Sequence, residues 1–161
     1  MSIYVKFAGL NGSVTMTGFQ GWSEINEVET GAINVPVHNS VGKQADRLNS
    51  HISMGNVLLL KPMDNASIQL LEHAQTGQSF NTVEIDSVTT GNPPQAYHKM
   101  ILTNATIAHY SRRHTGAGGK PVEYISLSYT KIQETYIPRN SNNQAGNPVS
   151  TGYDLAKAQK M

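Results

Sequence analysis

The sequence predicts a mainly β fold: a single antiparallel β-barrel or sandwich-like domain with one short α-helix. Three observations lead there. Apolar and polar residues alternate through several segments, clusters rich in Gly, Asn and Pro separate those segments, and only one stretch keeps a helical period. One helix among about seven strands favours a closed or nearly closed barrel or sandwich over an α/β layer fold. The 161 residues suit one domain, and folding at that size buries about 70% of the surface that the unfolded chain exposes.

The first strand begins at Ile3, with Ile3, Val5 and Phe7 on one side and Tyr4, Lys6 and Ala8 on the other, and a Leu-Asn-Gly turn at 10–12 stops it. Strand signals follow at Trp22 to Val28, Ile33 to Val37 and Ile52 to Lys61. In the last of these the continuous apolar run Val57 to Leu60 suits a strand buried on both faces. The helix starts after Lys61-Pro62, where Asp64 or Asn65 can accept from orphan backbone N–H groups, and ends at Gly77 as its C′ residue. Ser67, Leu70, Leu71 and Ala74, with Ile68 beside them, form a stripe that must pack on the sheet. Three longer strands fill the second half, Asn81 to Val88, Tyr97 to Tyr110 and Val122 to Ile137, separated by Gly-Asn-Pro-Pro and Gly-Ala-Gly-Gly loops. Within the last, Ile125, Leu127 and Tyr129 share one parity and Ile132 and Tyr136 the other, so a bulge or bend is expected near Thr130.

Two segments read as no regular element. His38 to Ser50, HNSVGKQADRLNS, is long for a loop inside a compact domain, and such loops tend to carry function. The tail from Arg139 to Met161 is polar and Asn-rich, with Tyr153 and Leu155 as anchors near its end. Both are candidates for contacts outside the domain.

Composition narrows the function classes. Apolar residues make up 38% and charged residues 14%, which is neither a disordered nor a membrane composition, and the formal charge is +1. Lys and Arg are spread too thinly to supply the basic footprint of a nucleic-acid binder. The opening MSIYVKFAGL has neither a basic n-region nor a long apolar h-region, so neither a signal peptide nor stable membrane insertion is expected. The lack of cysteine excludes disulfides and thiolate metal sites.

No catalytic motif emerges, and no cofactor is expected. His38, His51, His73, His98, His109 and His114 form no HExxH or other metal-binding spacing. Glu84 and Asp86 share a strand face, but acids alternating with Val83 and Ile85 are what any solvent-facing strand surface shows. Gly119-Lys120 is not a phosphate loop, because His114 stands at the earlier glycine and Pro121 at the required Ser or Thr; Gly42-Lys43 fails in the same way, and no GxSxG elbow occurs.

Read in order, the elements carry a family pattern. Lys61-Pro62-Met63-Asp64-Asn65-Ala66-Ser67 leads into Leu70, Leu71, Ala74 and Gly77, and then Phe80-Asn81-Thr82-Val83-Glu84-Ile85 follows. Later come Tyr129-Thr130-Lys131-Ile132, Thr135-Tyr136-Ile137-Pro138, Gly146 and Gly152-Tyr153-Asp154-Leu155. From Ile3 to Leu155 the chain resembles the haemolysin-coregulated protein (Hcp) family of the type VI secretion system. Its fold is shared with phage tail-tube proteins. Thr135 and Tyr153 stand where many members carry Trp.

The resemblance implies a non-enzymatic tube subunit spanning 1–161: homohexameric rings that stack into a hollow inner tube, enclosed by a contractile sheath, capped by a VgrG spike and carrying effectors. It implies cytoplasmic assembly followed by export without a cleaved signal. Residues 37–50 fall where members carry an extended loop that reaches the adjacent ring, so Lys43, Asp46, Arg47 and Leu48 are expected to stack rings, with 139–161 as a C-terminal tail. The strands Ile3 to Phe7 and Val122 to Ile137 are candidate lateral contributors, represented by Ile3, Val5, Tyr124 and Tyr129. A tube protein of a phage-tail-like contractile particle is the nearest alternative. A monomeric ligand-binding barrel and a secreted hydrolase are more distant ones.

Overall fold

The computed structural model describes residues 1–37, 41–42 and 51–161. The strands are β1 (Ser2–Phe7), β2 (Ser23–Ile25), β3 (Glu27–Glu29), β4 (Ile33–Asn34), β5 (Ser53–Met54), β6 (Val57–Pro62), β7 (Phe80–Val88), β8 (Ala96–Arg113), β9 (Val122–Ser128), β10 (Lys131–Tyr136), β11 (Val149–Asp154) and β12 (Gln159–Lys160), with helix α1 (Ser67–Thr76) between β6 and β7. All pairings are antiparallel, as the predicted barrel or sandwich-like class requires.

Two connections join two sheets around one core. The 18-residue β8 pairs with β7 and β10 through its first half and with β9 through its second. At its middle Asn104 adopts φ +51°, and the ladder to β9 shifts register between Ile107 and His109. On the other side β2 pairs with β1 and β3 with β6, and the Asn26 N–H between them donates to the Leu60 carbonyl. The sheet is therefore an open barrel in which residues 23–29 and 96–113 each pass from one layer to the other.

Val5, Phe7, Val57, Leu59, Leu70, Val83, Ile85, Leu102, Ile125 and Leu127 are buried between the layers. Period two prevails where a continuous apolar run suggests otherwise: Val57 and Leu59 are buried, but Leu58 is 43% exposed and Leu60 half-buried. The run Val57 to Leu60 is thus not buried on both faces, because among the described residues no layer covers the outer side of β6. The expected bend near Thr130 is a full break: β9 ends at Ser128, β10 starts at Lys131, and they join different layers. The tail, read as irregular, forms β11 and β12 on the edge of β10, with Tyr153 and Leu155 packed against the core.

Helix α1 plugs one end. Ser67 and Leu70 are buried and Leu71 and Ala74 half-buried, but Ile68 is 61% exposed, one position off the packed stripe. The N-cap position belongs to Ala66. The Asp64 carboxylate accepts from the Ala66 N–H at 3.0 Å, and Ser67 Oγ accepts from the Asp64 N–H at 2.9 Å. Gly77 closes the helix at φ +70°, its N–H donating to the His73 carbonyl.

Beneath α1 lies a buried ionic network. Lys61 on β6 and Glu123 on β9 are cross-strand partners, both fully buried, with Nζ 3.0 Å from Oε2. Lys61 Nζ also reaches Asp64 Oδ1 at 2.7 Å, Ser67 Oγ at 3.2 Å and the Pro62 carbonyl at 2.8 Å. The other Glu123 oxygen accepts from the Tyr110 hydroxyl and from Arg112 Nη2, which also donates to the Tyr110 oxygen at 2.8 Å. Burial and then the Glu123 hydrogen bond push the Tyr110 phenol up to about 12.

Removing one partner strands the other charge, so Lys61→Met is expected to cost about 3–5 kcal/mol. Glu123→Gln, which keeps an acceptor for Tyr110, is expected to cost about 1–3 kcal/mol. Urea denaturation of the two variants checks this, and equal losses would mean that the broken ion pair common to both sets the cost and that the acceptor Gln keeps for Tyr110 contributes nothing.

Candidate assembly surfaces

Lys43, Asp46, Arg47 and Leu48 lie outside the described residues. The chain leading to and from them is described, and it forms the short hairpin β4–β5. At the hairpin's base Gly31 and Gly55 meet backbone to backbone: a Cβ on Gly31 would lie 2.4 Å from the Gly55 carbonyl carbon. The Gly55 N–H donates to the Ala32 carbonyl and the Gly55 carbonyl accepts from the Tyr129 hydroxyl at 3.1 Å. Gly31 is required by this close approach, and a Cβ on Gly55 would sit tightly at 3.0 Å from the Gly31 Cα.

Of the four lateral candidates, Val5 and Tyr129 are buried within the subunit and Ile3 is half-buried, whereas Tyr124 is 43% exposed. Strand β1, between β2 and β7, offers no free backbone edge. The structure does not bring these four residues onto one surface. It places Val5 and Tyr129 beneath the surface as support.

Among the described residues two surfaces stand out. One is the outer face of β3–β6–β9–β8, where cross-strand registers align Glu29, Leu58, Ser126 and His109 in one row and Glu27, Leu60, Tyr124 and Ser111 in the next. The other is a groove of about 380 Å³ between the β4–β5 hairpin and β10–β11–β12. Ile33, Met54, Ile132 and Tyr153 line it, with Glu134 and Lys160 as its charged groups. Sequence reading missed the groove because half its wall comes from the tail. The first surface carries a legible signal: Glu27 and Glu29 flank Val28 in strict alternation.

Other ion pairs lie nearer the surface. His98 Nε2 lies 3.4 Å from Glu134 Oε2, and Lys131 Nζ 3.7 Å from Asp154 Oδ2. Asp86 is not solvent-facing: it is 5% exposed, on the layer face over which the 8–22 connection folds Phe19 onto Tyr4. Burial raises its carboxyl pKa, against the opposing pull of Lys99, whose Nζ lies 3.9 Å away. Among the described residues no three His, Asp or Glu side chains are grouped to hold a metal, and no helix is long and apolar enough to cross a membrane.

These features define a class: an open antiparallel β-barrel subunit, plugged by one helix, whose uncovered surfaces are flat or grooved. The chain belongs to the Hcp family of the type VI secretion system, a family of secretion-tube proteins. The family model described as type VI secretion system effector, Hcp, matches residues 4–136. A solved structure described as a type six secretion system protein superposes with a TM-score of 0.90 at 26% identity, covering 99% of each chain. Hcp1 from Salmonella typhimurium matches with a TM-score of 0.78 at 18% identity over 99% of this chain and 98% of its own. Hcp2 from the same organism gives 0.70 at 17% identity over 97% of each. No curated sequence gives a significant match.

Asp86 yields a pH prediction. The folded chain holds its proton more tightly than the unfolded chain, so stability falls as pH rises from 3.8 through the raised folded value and stays lower above it. Asp86→Asn removes that loss. The variant should be more stable than the parent at neutral pH, with the gap closing below about pH 3.8, as urea titrations from about pH 3 to about pH 8 would register.

Proposed function

We propose that this chain is a structural subunit whose homohexameric rings stack into the hollow inner tube of a type VI secretion system, expelled with its cargo when a surrounding sheath contracts. The end-to-end match to a type VI secretion protein, 99% of each chain at a TM-score of 0.90, carries this reading. Physical features support it. The groove and the exposed sheet face are different surfaces, as head-to-tail association requires, which closes into rings laterally and stays open-ended axially. A formal charge of +1 and a low charge density suit a conduit wall that must not grip its cargo.

Assembly in the cytoplasm, capping by a VgrG-type spike, contact with sheath subunits, and export of rings with effectors inside belong to the same reading. So does ring stacking through residues 37–50. Transport and support require no chemistry from the subunit, and the ion pairs His98–Glu134, Asp86–Lys99 and Lys131–Asp154, which tie strands together, are consistent with that role.

Light scattering behind a sizing column should give the mass of a hexamer of the 17.5 kDa chain, with larger stacked species at high concentration. Combining Arg47→Glu with Leu48→Asp should abolish the larger species and leave the hexamer. A mass of one chain at every concentration would overturn the reading, and loss of the hexamer in the double variant would remove residues 37–50 from a role confined to stacking.

A further inference from the structure

The Leu-Asn-Gly turn at 10–12 lies in the 8–22 strap that folds Phe19 onto Tyr4. Asn11-Gly12 is the one Asn-Gly pair in the sequence, and Asn11 is exposed. In such a pair the backbone nitrogen of the glycine, unhindered by a Cβ, can attack the asparagine side-chain carbonyl and expel ammonia. The packing demands glycine here: a Cβ on Gly12 would lie 2.4 Å from the Trp22 carbonyl oxygen and 2.3 Å from Ser23 Oγ. The residue that makes the Asn11 amide labile is therefore one the fold cannot exchange.

Both reacting groups are engaged elsewhere in the folded strap. The Gly12 N–H donates to the Gly21 carbonyl at 2.8 Å, and Asn11 Oδ1 accepts from Lys6 Nζ at 3.1 Å. The same ammonium donates to the Leu10 carbonyl at 2.7 Å and to the Gly21 carbonyl at 3.0 Å, so one side chain on β1 ties the start of the strap to its end. Between them the Val14 N–H donates to the Trp22 carbonyl and the Gly21 N–H to the Val14 carbonyl. Attack requires the Gly12 nitrogen and Asn11 Cγ to approach to about 3–3.5 Å with the nitrogen free, and local opening of the strap releases both at once.

We propose that Asn11 is a self-modification site guarded by Lys6, and that its deamidation runs only from the opened strap. The Gly12 nitrogen, its proton passed to water or hydroxide, bonds to Asn11 Cγ; the bond from Cγ to the side-chain nitrogen breaks, and ammonia leaves a cyclic imide. Water then opens the imide, so one water is consumed, one ammonia is released and no oxidation state changes. Opening at Cγ gives aspartate at position 11, whose carboxylate keeps Lys6 as its partner. Opening at the main-chain carbonyl gives isoaspartate, which adds one backbone carbon between residues 11 and 12. That carbon displaces Gly12 from its close seat against the Trp22 carbonyl, so the strap no longer closes as before.

The test incubates the full chain at mildly alkaline pH and follows the amide-to-acid mass gain at Asn11 by peptide fragmentation. The folded parent should convert at least about tenfold more slowly than the same chain unfolded in urea, and folded Lys6→Met about tenfold faster than the folded parent. Amide hydrogen exchange at Gly12, Val14 and Gly21 should quicken in the variant while the β7–β8 ladder keeps its protection. Circular dichroism checks folding, and Lys6→Gln takes the place of Lys6→Met where the latter does not fold. Conversion as fast in the folded parent as in urea, or an unchanged rate in the folded Lys6 variant, overturns the proposal.

Discussion

Lys61 and Glu123 face each other across β6 and β9 inside the barrel, each fully buried, and much of the remaining architecture follows from keeping them together. Taking two such charges out of water costs several kcal/mol apiece, and that cost is recovered only when both heads are saturated with partners. Here they are. The ammonium meets Glu123, Asp64, Ser67 and the Pro62 carbonyl, and the carboxylate meets Tyr110 and Arg112 as well. A slip of one residue between β6 and β9 would turn Lys61 away from Glu123 and drive Leu58 and Leu60 inward, so the register has no close competitor. The same contacts fix the start of α1, since Asp64 and Ser67 bind Lys61 while organising the helix's first turn. The outward placement of Leu58 and Tyr124 is thus set from inside.

A second constraint comes from the two segments that cross between layers. Because β8 pairs with β7 and β10 up to Ala105 and with β9 from Thr106 onward, the layers cannot move independently. A left-handed residue in mid-strand is tolerated best by Asn or Gly, which accounts for Asn104 at φ +51°. The break at Tyr129–Thr130 answers this turn, with the Thr130 N–H donating to the Thr103 carbonyl at 3.0 Å. Two bends meeting at one place let a single layer become two.

The sequence made much of this legible. Period-two patterning located the principal strands, the parity change after Tyr129 marked the layer switch, and Gly77 marked the helix end. The family resemblance ran from Ile3 to Leu155, and the family model matches residues 4–136 of that span. What stayed hidden depended on contacts distant in sequence. Lys61 and Glu123 read as ordinary strand polar residues because their meeting depends on a pairing 62 positions apart. Four consecutive apolar residues at 57–60 imitate a strand covered on both sides, and nothing local says that one side is bare. Tyr153 in a polar tail indicates an anchor, but only the ladder to β10 shows a groove behind it.

That groove depends on the rest of the fold. Strand β12 has only β11 as a neighbour, β11 rests on β10, and β10 rests on β8, so the outer wall exists only when the layer beneath it is complete. Gly152 keeps the wall close: a Cβ there would lie 3.2 Å from the Ile132 carbonyl oxygen and 3.3 Å from Met161. On the opposite wall, the β4–β5 hairpin is held by the Gly31–Gly55 approach and by Tyr129. Tyr129 is buried and sits at the switch between β9 and β10, so one side chain ties the hairpin to the point where the layers part. A lateral residue sought by sequence alone is naturally sought among exposed apolar positions. In this chain Val5 and Tyr129 are buried in the core, and Tyr129 acts on the hairpin from beneath the surface through its bond to the Gly55 carbonyl.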